Sequence, residues 1–176
     1  MRLFIAINFN SDARARLLAM RDELRSRTER GNFSLPENLH LTLAFLGECT
    51  ARQTADVKTA IDSASFNPFD IRIERIGRFR RNNGDIWWAG LHGSNSLLNL
   101  HRELIDKLIA AGFTLDRREY KPHITLGREI VTDTAPWRIE PFGETVTAIE
   151  LMKSERIVGK LAYTAIHRGV ARNEHI

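Results

Sequence analysis

Two copies of a short pattern, His-x-Thr, provide side chains that could carry out acid–base chemistry. One copy begins at His40 and ends at Thr42, and the other begins at His123 and ends at Thr125. On a strand, successive side chains point to opposite faces, so each histidine shares a face with its threonine. Each copy therefore presents an imidazole and a hydroxyl together, while the apolar residue between them can pack on a core.

These four side chains match what cleavage of a phosphodiester requires. Two imidazoles in different environments can be one neutral and one protonated near pH 7, which supplies a general base and a general acid. Hydroxyls can donate hydrogen bonds to phosphoryl oxygens as negative charge develops. Such a set is a poor zinc site, because a catalytic zinc usually has a third His, Cys or carboxylate ligand. We therefore predict that His40 and His123 are catalytic, with no metal and no other cofactor, and that Thr42 and Thr125 bind the substrate.

The elements around the two motifs repeat in order. Each motif follows a strand, a helix, a glycine and a loop that contains a proline. An offset of 83 residues aligns Ala6 with Ala89 and His40 with His123 without a gap. We therefore predict one domain over residues 1–176, built from two related lobes at roughly 1–80 and 81–176. A pseudo-two-fold relation between such lobes would bring the two polar faces into one cleft.

Hydrophobic periodicity predicts the individual elements. Strands are predicted at 2–9, 39–46, 69–79, 86–91, 123–131, 146–152 and 161–167. Helices are predicted at 13–30, 51–64 and 94–111. Pro136 and Pro141 indicate a loop, and the chain from Gly169 onward is expected to be frayed.

Composition restricts the class of protein. The chain has 176 residues, of which 27% are charged and 43% hydrophobic, which excludes a wholly disordered protein. No apolar run approaches the roughly 18 residues of a membrane helix, and the apolar start is too short for a signal peptide. A single cysteine, Cys49, excludes an internal disulfide. We expect a cytoplasmic protein without a membrane partner.

The chain is mildly basic, with 26 Lys and Arg against 22 Asp and Glu, a net charge of +4. This balance is compatible with a nucleic-acid ligand. Part of the excess is a run of arginines, which is either a solvated strand and loop or a nucleic-acid contact surface. The run consists of Arg72, Arg75, Arg78, Arg80 and Arg81.

The two motifs and their flanks resemble the 2H phosphoesterase superfamily, and within it the bacterial and archaeal RNA 2′,3′-cyclic phosphodiesterases, also called 2′-5′ RNA ligases. The similar segments are PENLHLTLAFLG at 36–47, YKPHITLGR at 120–128, RLFIAI at 2–7 and LMKS at 151–154. The resemblance implies an α+β fold of two lobes, each an antiparallel sheet with outer helices, around a central groove. It also implies metal-independent hydrolysis of RNA 2′,3′-cyclic phosphate ends to 2′-phosphates. RNA or oligonucleotide ends are the expected partners, and we expect a monomer.

The resemblance also implies roles for individual residues. His40 would donate a proton to the departing 3′ oxygen and His123 would accept one from water, although the symmetry of the motifs leaves the reverse assignment open. Arg128 is similar to an arginine near the phosphate, and Phe45 to an aromatic residue that stacks on the terminal base. Each lies five residues after its histidine, so strict alternation would turn it away from the groove. A bulge near Gly127 would be needed; otherwise Phe45 belongs to the core and Arg128 is a solvated charge.

Two other functions are compatible with the same residues. A related phosphoesterase or ligase would act on 2′-5′-linked oligonucleotides or on another cyclic phosphate. A module that binds RNA ends without turnover would have the fold alone, but binding has no need of an acid–base pair. The remaining histidines, His92, His101, His167 and His175, lack repeat-matched partners and are interpreted as surface or core residues. Trp87 and Trp88 are adjacent on a strand, so one should face the core and the other could line the groove, with core packing favoured for the pair.

Overall fold

The computed structural model describes residues 1–173. The strands are β1 (Arg2–Asn8), β2 (Arg30–Phe33), β3 (His40–Glu48), β4 (Phe69–Phe79), β5 (Asp85–Leu91), β6 (His123–Val131), β7 (Trp137–Val146), β8 (Ala148–Ile157) and β9 (Lys160–Val170). The helices are α1 (Ser11–Ser26), α2 (Ala51–Ser63) and α3 (Asn95–Ala110), and a short 3-10 turn covers Pro36–Asn38. None of these helices has the length and apolar character that crossing a membrane requires.

The nine strands form two antiparallel sheets. The four-stranded sheet has the order β3-β1-β8-β9, and the five-stranded sheet has the order β2-β6-β5-β4-β7. Each motif strand pairs with the first strand of its own repeat, β3 with β1 and β6 with β5. The α+β fold with two antiparallel sheets and helices, which the resemblance implied, is confirmed.

The sheets do not divide at residue 80, where the sequence repeat predicted the boundary between lobes. The C-terminal strands β8 and β9 return to the first sheet, where β8 pairs with β1. In the other direction, β2 and β4 join the five-stranded sheet by pairing with β6 and β5. The predicted boundary does not describe the sheets, because each sheet contains strands from both halves of the chain.

Two strands were not predicted, and one predicted helix was too long. β7 occupies the region where Pro136 and Pro141 indicated a loop. It is an edge strand, and its pairing with β4 is irregular between Arg138 and Phe142. Pro141 lies in this irregular part, so it interrupts no regular hydrogen bonding between the strands. The helix α1 ends at Ser26, four residues before its predicted end, and the four-residue strand β2 begins at Arg30. β9 continues to Val170, past the predicted start of fraying, and the rest of that tail beyond residue 173 lies outside the described residues.

Each helix begins at a side chain that caps its free N–H groups. The Asn10 side chain accepts a hydrogen bond from the Ala13 amide at the start of α1, and Ser94 caps α3 in the same way. Thr50 and Gln53 form a reciprocal capping box at α2. Such caps are each worth about 1 kcal/mol, and they set where the helices start relative to the sheets.

One hydrophobic cluster joins both sheets to the helices. β1 contributes Leu3, Ile5 and Ile7, each 1% exposed or less. A second, smaller cluster of Phe4, Ala6 and Met152 lies outside the main core, with Tyr163 packed against it. Because Phe4 and Ala6 alternate with the core residues of β1, this smaller cluster marks the opposite face of the four-stranded sheet. That face carries the first motif.

Candidate active site

Both motif strands contain a β-bulge at the same repeat position. The pairing of β3 with β1 skips Leu43, and the pairing of β6 with β5 skips Leu126. A bulge inserts one residue, so the alternation of side chains shifts by one beyond it. Phe45 and Arg128 therefore share the face of the motif on their strands, and both side chains are exposed, Phe45 to 67%. The bulge required by the sequence is present next to Gly127, and Phe45 does not belong to the core.

Each motif imidazole is anchored to the backbone two residues before it. The Nδ1 atom of His123 lies 2.7 Å from the carbonyl oxygen of Lys121. His40 forms a backbone hydrogen bond with Asn38, which corresponds to Lys121 in the repeat. A carbonyl can only accept, so the Nδ1–H of His123 donates to it. In the neutral ring, Nε2 of His123 is then unprotonated and free to accept a proton.

The surroundings of both imidazoles favour their neutral forms. Burial lowers the pKa of His40 to about 4, and the positive charges of Arg128 and Arg14 add to this effect against the opposing backbone bond. Burial also lowers the pKa of His123, and the charge of Arg128 adds to it. One guanidinium therefore lies close enough to influence rings from both sheets. Arg14, on α1, has no counterpart in the motifs and was not predicted from the sequence.

Aromatic side chains enclose the two imidazoles. The His40 ring centroid lies 4.8 Å from that of Phe4 and 5.2 Å from that of Tyr163. The His123 ring contacts Phe79 edge-on at 5.0 Å. These contacts remove water from the rings and restrict their orientation, which agrees with the direction of both pKa changes.

Trp88 lies on the open face of the five-stranded sheet beside the second motif. It pairs across the strands with Thr125. Its ring covers two glycines, since a Cβ atom at Gly77 would lie 2.2 Å from the indole and one at Gly90 would lie 2.7 Å from it. Trp87, in contrast, is fully buried. The expectation of core packing is therefore correct for Trp87, whereas Trp88 is half-buried on the opposite face of the sheet, with its ring centroid 6.4 Å from that of His123.

Two reciprocal bridges each join the segment before one motif to the threonine carbonyl of the other motif. The hydroxyl of Tyr120, just before the second motif, donates to the carbonyl oxygen of Thr42 at 2.7 Å. The hydroxyl of Ser34, before the first motif, donates to the carbonyl oxygen of Thr125 at 2.8 Å. The Tyr120 ring stacks in parallel on His101 with 3.8 Å between centroids. Tyr120 therefore holds the start of β6 against β3, whereas Ser34, directly after β2, holds β6 within the five-stranded sheet.

Two cavities meet at the exposed ring of Phe45. The β6 cavity, of about 640 Å³, is lined among others by Thr42, Phe45, Phe79, Arg81, Lys121 and His123. The β9 cavity, of about 620 Å³, is lined among others by Arg2, Phe4, Phe45, Lys153, Ser154 and Tyr163. The first motif lies between them, because Thr42 lines the β6 cavity and His40 packs on two aromatic walls of the β9 cavity.

The arginine run does not act as one surface. Arg75 donates to the Leu91 carbonyl at 2.9 Å, and Arg78 donates to the Thr134 carbonyl at 3.2 Å. Arg81 differs, because it lines the β6 cavity. Within the run, Arg75 and Arg78 thus bond to the protein itself, and Arg81 faces the groove.

Among the other described histidines, His101 stacks on Tyr120, whereas His92 and His167 lie away from the motifs. His92 contacts Glu74 at 3.2 Å and His167 contacts Asp62 at 2.7 Å. His175 lies outside the described residues. Within residues 1–173, no group of three or more His, Cys, Asp or Glu side chains is arranged to hold a metal ion.

Two antiparallel sheets that present paired His-x-Thr strands define the 2H phosphoesterase fold. A family model described as the 2′-5′ RNA ligase superfamily matches residues 9–157, and the chain belongs to this superfamily. An RNA 2′,3′-cyclic phosphodiesterase of Archaeoglobus fulgidus is 31% identical over 151 residues, which cover 82% of this chain and 85% of the relative. The resemblance to this enzyme family is thereby confirmed.

Solved structures share the architecture over almost the whole chain. TT0787 of Thermus thermophilus superposes with a TM-score of 0.84 at 27% identity, covering 99% of this chain and all of the other. The LigT protein of Escherichia coli, crystallised with 3′-AMP, superposes with a TM-score of 0.85 at 26% identity, covering 98% of each chain.

Proposed function

We propose that this protein hydrolyses RNA 2′,3′-cyclic phosphate ends to 2′-phosphates by a metal-independent, two-histidine mechanism. Membership of the family and the names of the relatives support a cyclic phosphodiesterase activity. The observation that carries the mechanism is the pair of bulged His-x-Thr strands, which the reciprocal bridges hold together beside Arg128.

In the proposed reaction, Nε2 of His123 accepts a proton from water, and the water oxygen attacks phosphorus. The bond between phosphorus and the 3′ oxygen breaks, and His40 donates a proton to that oxygen. One water is consumed, and the phosphate stays on the 2′ oxygen. General acid–base catalysis of this kind contributes on the order of 10²–10⁴ in rate. The resemblance supports this assignment of acid and base, and the free Nε2 of His123 is compatible with it.

Three further side chains would stabilise the reacting phosphate. Thr42 and Thr125 would donate hydrogen bonds to the non-bridging oxygens, which become more negative in the transition state. The guanidinium of Arg128 would offset this charge, because its field already reaches both imidazoles. Bound phosphate would in turn oppose the field of Arg128 and raise the pKa of His40, so that the acid gains its proton with the substrate.

Phe45 would bind the terminal base. It is an aromatic ring exposed to 67% at the junction of the two cavities. Stacking of a base on such a ring is worth about 1–3 kcal/mol and tolerates any base. The ring would therefore orient the terminal nucleotide without selecting which base it carries.

Product analysis tests the reaction. The protein is incubated with adenosine 2′,3′-cyclic phosphate, and separately with a 2′-5′-linked dinucleotide, with and without excess EDTA. We expect the 2′-monophosphate from the cyclic substrate, identified by ³¹P NMR, at a rate that EDTA leaves unchanged. Turnover of the linked dinucleotide alone would assign the site to that substrate, a 3′-phosphate would reverse the proposed leaving group, and no turnover would favour an RNA-end-binding module.

Substitution of the histidines tests the mechanism. His40→Ala and His123→Ala should each lower kcat by about 10²–10⁴, and the double variant should lose little more, because the pair acts as a unit. His92→Ala is the matched control, since His92 contacts Glu74 rather than the groove. A rate near that of the wild type in either single variant would exclude the two-histidine mechanism.

A further inference from the structure

We infer that the β9 cavity binds the nucleotide that precedes the cyclic end, so that the preferred substrate is an oligonucleotide and not a mononucleotide. This inference rests on the proposed function. It concerns a part of the groove that the reaction at phosphorus does not use, namely Arg2, Lys153 and Tyr163.

The direction of the RNA follows from the geometry of displacement at phosphorus. The attacking and leaving oxygens lie roughly in line on opposite sides of the phosphorus atom. His123, the proposed base, lines the β6 cavity, so water approaches from that side. His40, the proposed acid, packs against Phe4 and Tyr163 of the β9 cavity. The ribose that carries the leaving oxygen therefore lies toward the β9 cavity, and the 5′ continuation of the chain leaves on that side.

The size of the β9 cavity exceeds what the reacting phosphate needs. Its volume of about 620 Å³ lies within the range of about 300–1,000 Å³ that is typical of complete ligand sites. Its walls begin at Phe45, where the terminal base would stack, and continue through Phe4 to Tyr163, whose ring meets Phe4 edge-on at 4.9 Å. A second aromatic surface is thus available beyond the first, as in sites that bind successive bases of a single strand.

Arg2 supplies the positive charge for a phosphodiester between the two nucleotides. It alternates with Phe4 along β1, which directs it to the groove face, and it is exposed. In the part of the chain that the structure describes, Arg2 is not paired with a carboxylate, whereas Lys153 contacts Glu155 at 2.8 Å. Burial raises the pKa of the Tyr163 hydroxyl, and the charges of Arg128 and Arg2 oppose this, so both guanidiniums lie near it.

The chemistry of the ligand follows from these groups. The phosphodiester carries a single negative charge that an arginine can bind through two hydrogen bonds. The preceding base has an aromatic surface at Tyr163 on which to stack. A cyclic mononucleotide lacks both features, so it would use the reaction centre and Phe45 alone.

Kinetics with substrates of two lengths test the inference. We compare adenosine 2′,3′-cyclic phosphate with the dinucleotide ApA that ends in a 2′,3′-cyclic phosphate, using the wild type, Arg2→Ala, Arg2→Lys, Arg81→Ala and Arg52→Ala. Arg2→Ala should raise KM for the dinucleotide about three- to tenfold, because one charged contact is lost, and leave the mononucleotide unchanged. Arg2→Lys should restore part of the loss. Arg81→Ala, in the β6 cavity beside the reaction centre, should change KM by the same factor for both substrates. Arg52→Ala, exposed on α2 and outside both cavities, is the matched control and should affect neither substrate.

The outcomes separate this inference from the proposed function. Selective loss of dinucleotide turnover in Arg81→Ala, but not in Arg2→Ala, would place the preceding nucleotide in the β6 cavity and overturn the inference. Turnover of both substrates with no dependence on Arg2 would overturn it as well, while the proposed reaction would stand. Absence of turnover with either substrate would remove the proposed function and this inference with it.

Discussion

At the scale of the residue, the environment of His40 favours a neutral ring, whereas its proposed role requires a protonated one. The proposed role of His40 as general acid requires it to carry a proton, yet burial and two arginines lower the pKa of this ring to about 4. Burial also lowers the pKa of His123, which favours its neutral form in the free protein. In the proposed reaction the anionic substrate reverses this, because its charge opposes that of Arg128. Protonation of the acid is therefore coupled to binding.

This coupling predicts different pH profiles for kcat/KM and kcat. The profile of kcat/KM reports the free enzyme, so its bell should have an optimum below about pH 6.5, the ordinary pKa of histidine. The profile of kcat reports the complex, in which phosphate raises the pKa of His40, so its optimum should lie at higher pH. Initial rates with a cyclic nucleotide from about pH 4 to 9 provide both profiles. Coincident optima, or a flat response, would contradict the coupling.

The same lowered pKa predicts how stability depends on pH. The unfolded chain binds a proton at His40 below about pH 6.5, whereas the folded protein binds it only near pH 4. The unfolded state thus holds more protons between these values, so the free energy of unfolding rises with pH across this window and falls on acidification. His40→Gln should flatten this dependence by about 1–3 kcal/mol in urea titrations at both ends of the window. An unchanged slope in His40→Gln would show that the ring does not titrate in this way.

At the scale of the element, the reciprocal bridges predict a kinetic role for Tyr120. Tyr120→Phe keeps the ring stacked on His101 and removes the hydrogen bond to the carbonyl of Thr42. The loss should cost about 1 kcal/mol of stability and lower kcat several-fold, because β3 and β6 are then less precisely spaced. Ser34→Ala, which removes the bridge to Thr125, should lower kcat in the same way.

A matched control separates positioning from a general loss of stability. Thr54 in α2 donates a comparable buried bond, of 2.8 Å, to the Thr50 carbonyl within its own helix. Thr54→Val should therefore lower the midpoint of thermal unfolding as Tyr120→Phe does, with kcat unchanged. Equal effects of the two variants on kcat would assign Tyr120 a structural role alone.

The limits of prediction from sequence also follow from the elements. Alternation along a strand was sufficient to predict the shared face of each histidine and threonine, and the need for a bulge followed from the spacing of Phe45. The bridges from Tyr120 and Ser34 were not predictable, because they join residues 78 and 91 positions apart through backbone carbonyls that no side-chain pattern marks. The strands β2 and β7 were not predicted for a different reason. β2 is only four residues long, and β7 contains a proline, which an edge strand tolerates.

At the scale of the whole molecule, the two halves of the sequence are not the two halves of the fold. The two halves repeat the same order of elements along the chain. However, β8 and β9 complete the sheet of the first motif, and β2 and β4 extend the sheet of the second. Tyr163, which contacts His40, reaches it through this exchange. A site shared between the sheets and an exchange of strands between the halves are thus two consequences of one topology.

This topology predicts the behaviour of a chain that is cut between β4 and β5. The junction between Arg80 and Arg81 is exposed, so a break there removes no core packing. Fragment 1–80 lacks β8, and without it Ile5 loses its partner Leu151 in the core. We expect each fragment, 1–80 or 81–176, to be unfolded alone by circular dichroism, and the two expressed together to form a complex that hydrolyses cyclic phosphate. A fragment that folds alone would show that the repeat unit, and not the exchanged sheet, is the cooperative unit of folding.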